Sequence, residues 1–197
     1  VAQVGSDAEY QLIQMALGAG AARASLRIQL DGARAAVVLR AVTLADEHRV
    51  LDTALTVEHN APETRSEQVF RAIANSRARV GMLSRVKVAN EARGANCRQS
   101  LKGLIAAEQA EIDLRPELEI NTNEVQASHG ATTGALDETA LFYLLSRGLD
   151  RDTARLLLEW AFLEDVLAHV QLPALRAQLE RATVEGMGRS QTLGELL

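Results

Sequence analysis

One cysteine, three prolines and six aromatic residues in 197 are the scarcities that bound this chain. With Cys97 alone, no disulfide can close within the chain and a cysteine-rich zinc site is excluded. That usage fits a reducing compartment, and the cytoplasm is the expected location. Aromatics make up only 3% of the residues, so a core must be built from the Ala, Val, Leu and Ile that dominate the 47% apolar fraction. No apolar run reaches the ~18–20 residues needed to span a bilayer. Asp7 and Glu9 interrupt the N-terminal stretch and no basic flank precedes it, so it does not read as a signal peptide. An initiator Met is also missing, and "VAQVGSDAEYQLIQMALG" reads as the middle of a pattern, so the chain is expected to be a fragment of a longer one. A G-x-x-x-x-G-K-[ST] loop and a G-x-S-x-G elbow are both absent, which argues against a nucleotide-binding ATPase and a serine hydrolase. The net charge of −5 argues against a general nucleic-acid binder.

What is present is short-range alternation. "YQLIQMAL" (10–17), "ASLRIQL" (24–30), "AAVVLRAVTL" (35–44) and "LDTALTVEH" (51–59) follow one another, with Leu26, Ile28 and Leu30 alternating with Arg27 and Gln29. Breaks fall at Gly18–Gly20, Asp31–Gly32 and Asp46–Glu47, the second of which carries a hairpin signal. After a polar interval come "RVKVAN" (85–90), "SLKGLIAAEQAEI" (100–112) and "ELEINTNEVQAS" (117–128). Many short strands at this spacing suggest a sandwich, a barrel or a β-solenoid. Small residues at the breaks and the lack of aromatic filling favour the solenoid, although no crisp repeat is visible. Charge is segregated along the chain. Residues 61–100 hold eight Arg/Lys against three Asp/Glu, and residues 101–150 hold three against nine. Complementary strand faces are one reading of that split and a protein-binding surface is the other.

The character changes near Gly134. Asp137 is a helix N-cap candidate, "ETALFYLLSR" follows, and Gly148 stands where a C′ glycine belongs. Helices are expected over 138–147 and 151–170, the second with Ala154, Leu157, Leu158, Ala161 and Phe162 as its apolar stripe, widened by Leu163, Val166, Leu167 and Val170. Pro173 can open a third helix, and "EGMGRSQTLGELL" reads as a frayed tail. The expected organisation is a β body over 1–130 and a helical domain over 135–197. Three short helices cannot bury so wide an apolar surface against each other, so the excess must dock on the β body or on another protein.

Four histidines are candidates for chemistry. His48 lies in a charged turn, His169 near a helix C-terminus, and His59 at a strand end, where a hydrogen-bonded structural role is the plain reading. His129 differs, since Ser128 and Gly130 leave its ring uncrowded in what reads as a glycine-flanked loop. A neutral imidazole there is competent to ligate iron or another borderline metal. "GATTG" (130–134) could also hold an anion on free backbone N–H groups, although it lacks a lysine.

The stretch "ASHGATTGALDETALFYLLSRGLDRDTARLLLEWAF", with "AEIDLRPELEINTNEVQ" (110–126) and "VEHNAPETRSEQVFRA" (57–72) before it, resembles the SufB/SufD family of iron–sulfur cluster assembly proteins. The likeness is to the D member. SufB-type chains carry Glu on both sides of the histidine and a cysteine directly after a Gln, where this chain has Ser128, Gly130 and, after Gln99, Ser100. Cys97 is out of register with that cysteine. The resemblance implies a right-handed parallel β-helix followed by a small C-terminal α-helical domain. It also implies a non-catalytic subunit that pairs with a SufB-like chain and docks a SufC-like ABC ATPase through its C-terminal helices, with a homodimer open to the isolated chain. It marks His129 as a shared iron or cluster ligand at the SufB interface, the cluster being transient, with no nucleotide bound by this chain. The alternative from the strand pattern alone is a β-solenoid enzyme acting on a carbohydrate, for which the acids of 108–124 are the candidates.

Overall fold

A computed structural model describes residues 1–188. Ten strands precede three helices. They are β1 (Ala2–Val4), β2 (Glu9–Ala16), β3 (Ala21–Leu30), β4 (Ala36–Ala45), β5 (Val50–His59), β6 (Arg65–Ala74), β7 (Arg79–Val88), β8 (Ala95–Ile105), β9 (Glu111–Ile120) and β10 (Val125–Gly134), followed by α1 (Glu138–Ser146), α2 (Arg151–Leu167) and α3 (Pro173–Gly186). Odd strands form one sheet in the order β1-β3-β5-β7-β9, and even strands the other, β10-β8-β6-β4-β2. Every pairing is parallel. Each coil of the chain therefore contributes one strand to each sheet, and the body is a parallel β-solenoid of about five turns.

The interior is set by alternation. Leu55 and Val57 on β5, and Met82, Val86 and Val88 on β7, point between the sheets and are buried, as are Leu39 on β4 and Phe70 and Ala72 on β6. In-register stacking puts each inward residue above a counterpart one coil away, for example Leu26 on Leu55 on Ser84 on Pro116. Small and aliphatic side chains suit this geometry, because a flattened solenoid leaves little room between its sheets.

Four points of the sequence reading change here. The Asp31–Gly32 hairpin does not form, since β3 and β4 belong to different sheets and the turn between them is a solenoid corner. The polar interval is structured, and it contains β6 and the start of β7. The run 100–112 is not one strand but the end of β8, a corner and the start of β9. The stretch 128–134 is not a loop. It is most of β10, paired along its length with β8.

Corners also explain the missing repeat signal. Asp7, Arg34, Glu63 and Gly94 occupy equivalent corners with φ of +59°, +60°, +59° and +72°. Successive corners are tied by hydrogen bonds from Asp7 N to Ala33 O (3.0 Å), Arg34 N to Pro62 O (3.0 Å), Glu63 N to Arg93 O (2.8 Å) and Gly94 N to Glu124 O (2.7 Å). Left-handed backbone costs a non-glycine residue ~1 kcal/mol or more, and these inter-coil bonds offset it. Only one of the four corners uses glycine, so no periodic glycine marks the coils.

The helices pack on the outer face of the even-strand sheet. Val42 and Leu44 of β4, Ile73 of β6 and Leu104 of β8 point outward and are covered by Leu156, Trp160, Leu163, Val166 and Leu167 of α2. This is why "AVVLRAVTLA" reads as nearly continuous apolar sequence, since β4 is buried on both faces. Of the predicted apolar surface of α2, Ala154, Leu163, Val166 and Leu167 are buried, joined by Leu156 and Trp160, whereas Leu157, Leu158 and Phe162 are half-buried and Ala161 is exposed. The run Leu156–Leu158 fits either phase of a helix, and only the sheet beneath selects one. Arg71, 5% exposed on the same outer face, bonds Asp165 of α2 at 2.9 Å and the carbonyls of Phe70 (3.0 Å) and Ser100 (3.3 Å). Asp137 caps α1 as expected, Asp150 caps α2, and Gly148 takes φ of +93°. The predicted frayed tail begins inside α3, which runs to Gly186, and its residues 189–197 lie outside the described residues.

Candidate functional site at the open end of the solenoid

Three of the four histidines fall out on inspection. His48 is exposed in the corner after Asp46–Glu47. His169 is exposed, with Nδ1 at 2.9 Å from the carbonyl of Asp165. His59 is fully buried, with Nδ1 2.9 Å from Thr64 Oγ1 and Nε2 2.9 Å from Ser66 Oγ. Burial pulls its pKa down to about 4, so it is a neutral structural group.

His129 sits on β10, the last strand of the even sheet, whose other edge has no strand partner among the described residues. Its register partner is Gln99, and below that Gln68. Gln68 and Gln99 face the interior and are buried, so His129 occupies the inward-facing rung of the final coil. No coil covers it, and it is exposed. The side chain thus tops a polar column and opens to solvent at the end of the solenoid. On the opposite face of the strand, a Cβ added at Gly130 would meet nothing within 4 Å.

The two strand edges open at this end differ in chemistry. On β9, the N–H groups of Glu111 and, just past the strand, Asn121 bond back to β7's side, to Ala78 and Val88. By alternation the even residues of β9 present their N–H groups to the free edge, and there Pro116 has none. On β10, "VQASHGATTG" contains no proline and no Asp, Glu, Lys or Arg. A ten-residue, uncharged, unblunted edge strand is a template for pairing with another chain.

The rest of the neighbourhood supplies no second ligand. Cys97 lies on the inward face of β8 and is 1% exposed, and burial pushes its thiol pKa up, away from thiolate. Ser100, where the resemblance places a cysteine, faces outward beneath the helices, 3.4 Å from Arg71. Among the described residues no three His, Cys, Asp or Glu side chains converge to hold a metal ion. The acids of β9 do not form a glycosidase pair either. Glu111, Glu117 and Glu119 bond Arg79 (3.3 Å), Arg85 (2.6 Å) and Lys87 (3.3 Å) of β7, and Asp113 bonds Arg115. These ladders account for part of the charge split between 61–100 and 101–150, a basic strand lying beside an acidic one.

A helix-capped parallel β-solenoid with its exposed imidazole on a free edge strand defines the class, one whose candidate chemistry lies at an end surface rather than in a pocket. Residues 1–162 match the family model described as SUF system FeS cluster assembly, SufBD core domain, and the chain belongs to that family. It is 32% identical over 177 residues to an iron–sulfur cluster assembly SufBD family protein of Synechocystis, covering 90% of this chain and 39% of that one. It is 28% identical over 163 residues to the iron–sulfur cluster assembly protein SufD of Escherichia coli, covering 83% and 38%. It is 27% identical over 183 residues to the chloroplastic protein ABCI7 of Arabidopsis thaliana, covering 92% and 38%. The chain thus spans about two fifths of the length of these relatives. The family is one of iron–sulfur cluster assembly, and the carbohydrate-active alternative, which rested on strand pattern alone, gives way to it.

Proposed function

We propose that this chain is the C-terminal part of a non-catalytic, SufD-like subunit of an iron–sulfur cluster assembly complex. It pairs with a SufB-like subunit through the β10 edge and docks a SufC-like ATPase through its helices. The cluster is cargo, and His129 serves it as a shared ligand or proton-handling group where the two solenoids meet. The observation that carries this reading is the exposed imidazole on an uncharged edge strand whose outer edge has no strand partner among the described residues. An imidazole alone does not hold a cluster, so the thiolates must come from the partner. The helices support the ATPase assignment in one respect: α1 buries only Leu141 and leaves Phe142 70% and Tyr143 56% exposed, an aromatic pair available for contact.

The test is His129→Ala in the full-length protein, co-expressed with its SufB-like and SufC-like partners, with iron and sulfide measured per complex. The expected result is an intact complex with a collapsed cluster yield. A variant complex that builds clusters as well as the parent would refute the role of His129. In the same system Phe142→Asp should release the ATPase while the pairing of the two solenoid subunits persists.

A further inference from the structure

Beneath His129 lies a buried amide with an unmet hydrogen-bonding atom. Gln99 is 2% exposed and its Nε2 donates to Ser84 O and Ser84 Oγ, both at 2.8 Å, and faces Gln68 Oε1 at 3.5 Å. The backbone carbonyl of Ser84 can only accept, so it fixes which end of the amide is nitrogen. Ser84 Oγ in turn donates to Gln68 Oε1. All three nitrogen partners belong to the coil below, made of β6 and β7. The oxygen of a planar carboxamide points away from its nitrogen, so Gln99 Oε1 is left on the side of the coil above. That oxygen is buried and has no partner. A buried carbonyl without a donor is destabilising, so a donor is to be expected. On the coil above, the residue in register with Gln99 is His129, on a strand ~4.8 Å away.

We propose that Gln99 is a positioning residue for His129: its Oε1 accepts one imidazole N–H, directly or through one water, and so selects the tautomer whose other nitrogen presents its lone pair at the open end. This rests on the functional reading of His129 and deepens it. A metal-ligating histidine needs its second nitrogen oriented in this way. The column Gln68–Ser84–Gln99 then has a direction, running from the backbone of β7 up to the exposed ring.

The experiment reads the tautomer and needs no cluster. In the chain labelled with 15N at histidine, the His129 signals are assigned by their loss in His129→Ala. Spectra are recorded at about pH 8, where an ordinary imidazole is neutral. The parent should show one nitrogen protonated and the other pyridine-like, with a tautomer preference of about fivefold or more. Gln99→Leu should relax the preference to that of free imidazole in water. Leu101→Ala, which loosens the same interior two residues along β8 without removing a member of the column, should retain it. A His129 tautomer unchanged in Gln99→Leu would overturn the proposal, and so would an equal change in Leu101→Ala, which would make the effect one of general packing. If His129→Ala leaves cluster yield normal while the tautomer still follows Gln99, the functional reading falls and the positioning stands. If the yield collapses but the tautomer ignores Gln99, the reverse holds.

Discussion

His59 gives a pH test of the solenoid core. Its ring is fully buried between Thr64 and Ser66, and burial holds its pKa near 4. In the unfolded chain the same ring returns to about 6.5. Between those values the unfolded state binds a proton that the folded state refuses, so stability rises with pH through this window and is independent of His59 above it. As pH falls from 7, the group withdraws roughly 2–3 kcal/mol, most of it by pH 4.5. His59→Gln removes the titration. At pH 7 the variant should be less stable by about 1–3 kcal/mol, because the Thr64 and Ser66 hydroxyls lose well-placed partners. Its stability should then fall less steeply with acid, so the gap between the two proteins should narrow by roughly 2–3 kcal/mol between pH 7 and pH 4.5. Urea unfolding followed by circular dichroism across that range measures this directly. Parallel pH profiles for parent and variant would mean that the folded protein accommodates a charged His59, and the reasoning from burial would fail.

Two further expectations concern packing. Trp160→Ala removes the largest side chain between α2 and the even sheet and should cost about 3–5 kcal/mol, with new proteolytic sensitivity in the segment between β10 and α1. Gly103→Val should destabilise by about 1–3 kcal/mol in urea unfolding, since a Cβ at Gly103 would lie 2.7 Å from Ile112 Cγ2 and 3.3 Å from Thr133 Cγ2.

The alternation in "ASLRIQL", "LDTALTVEH" and "RVKV" was legible because a two-sheet solenoid hides one face of each strand and wets the other. β6 was not legible. In "RSEQVFRAIA" both faces are largely covered, the inner one by polar Ser66 and Gln68 and the outer one by the helices, so the period of two dissolves. The strand nature of "SHGATTG" was hidden for the opposite reason. Its side chains are exposed, so nothing in their polarity reports the backbone pairing with β8 that makes it a strand. His129 could be singled out from its neighbours, but its rung could not. That it stands over Gln99 and Gln68 depends on a coil spacing of about thirty residues that no motif marks.

By itself the sequence determined the composition of the core, the capped helices, the family resemblance and the identity of the candidate histidine. These depend on residues near each other along the chain, where spacing and capping chemistry act. Tertiary structure alone decided which phase of α2 is buried, that Glu111, Glu117 and Glu119 of β9 are spent on the bases of β7, and that β10 rather than a proline-bearing β9 offers the clean edge. Those outcomes depend on which coil lies beside which. Parallel stacking is held by backbone hydrogen bonds that every residue type but proline can make, so the register leaves almost no trace in the side chains.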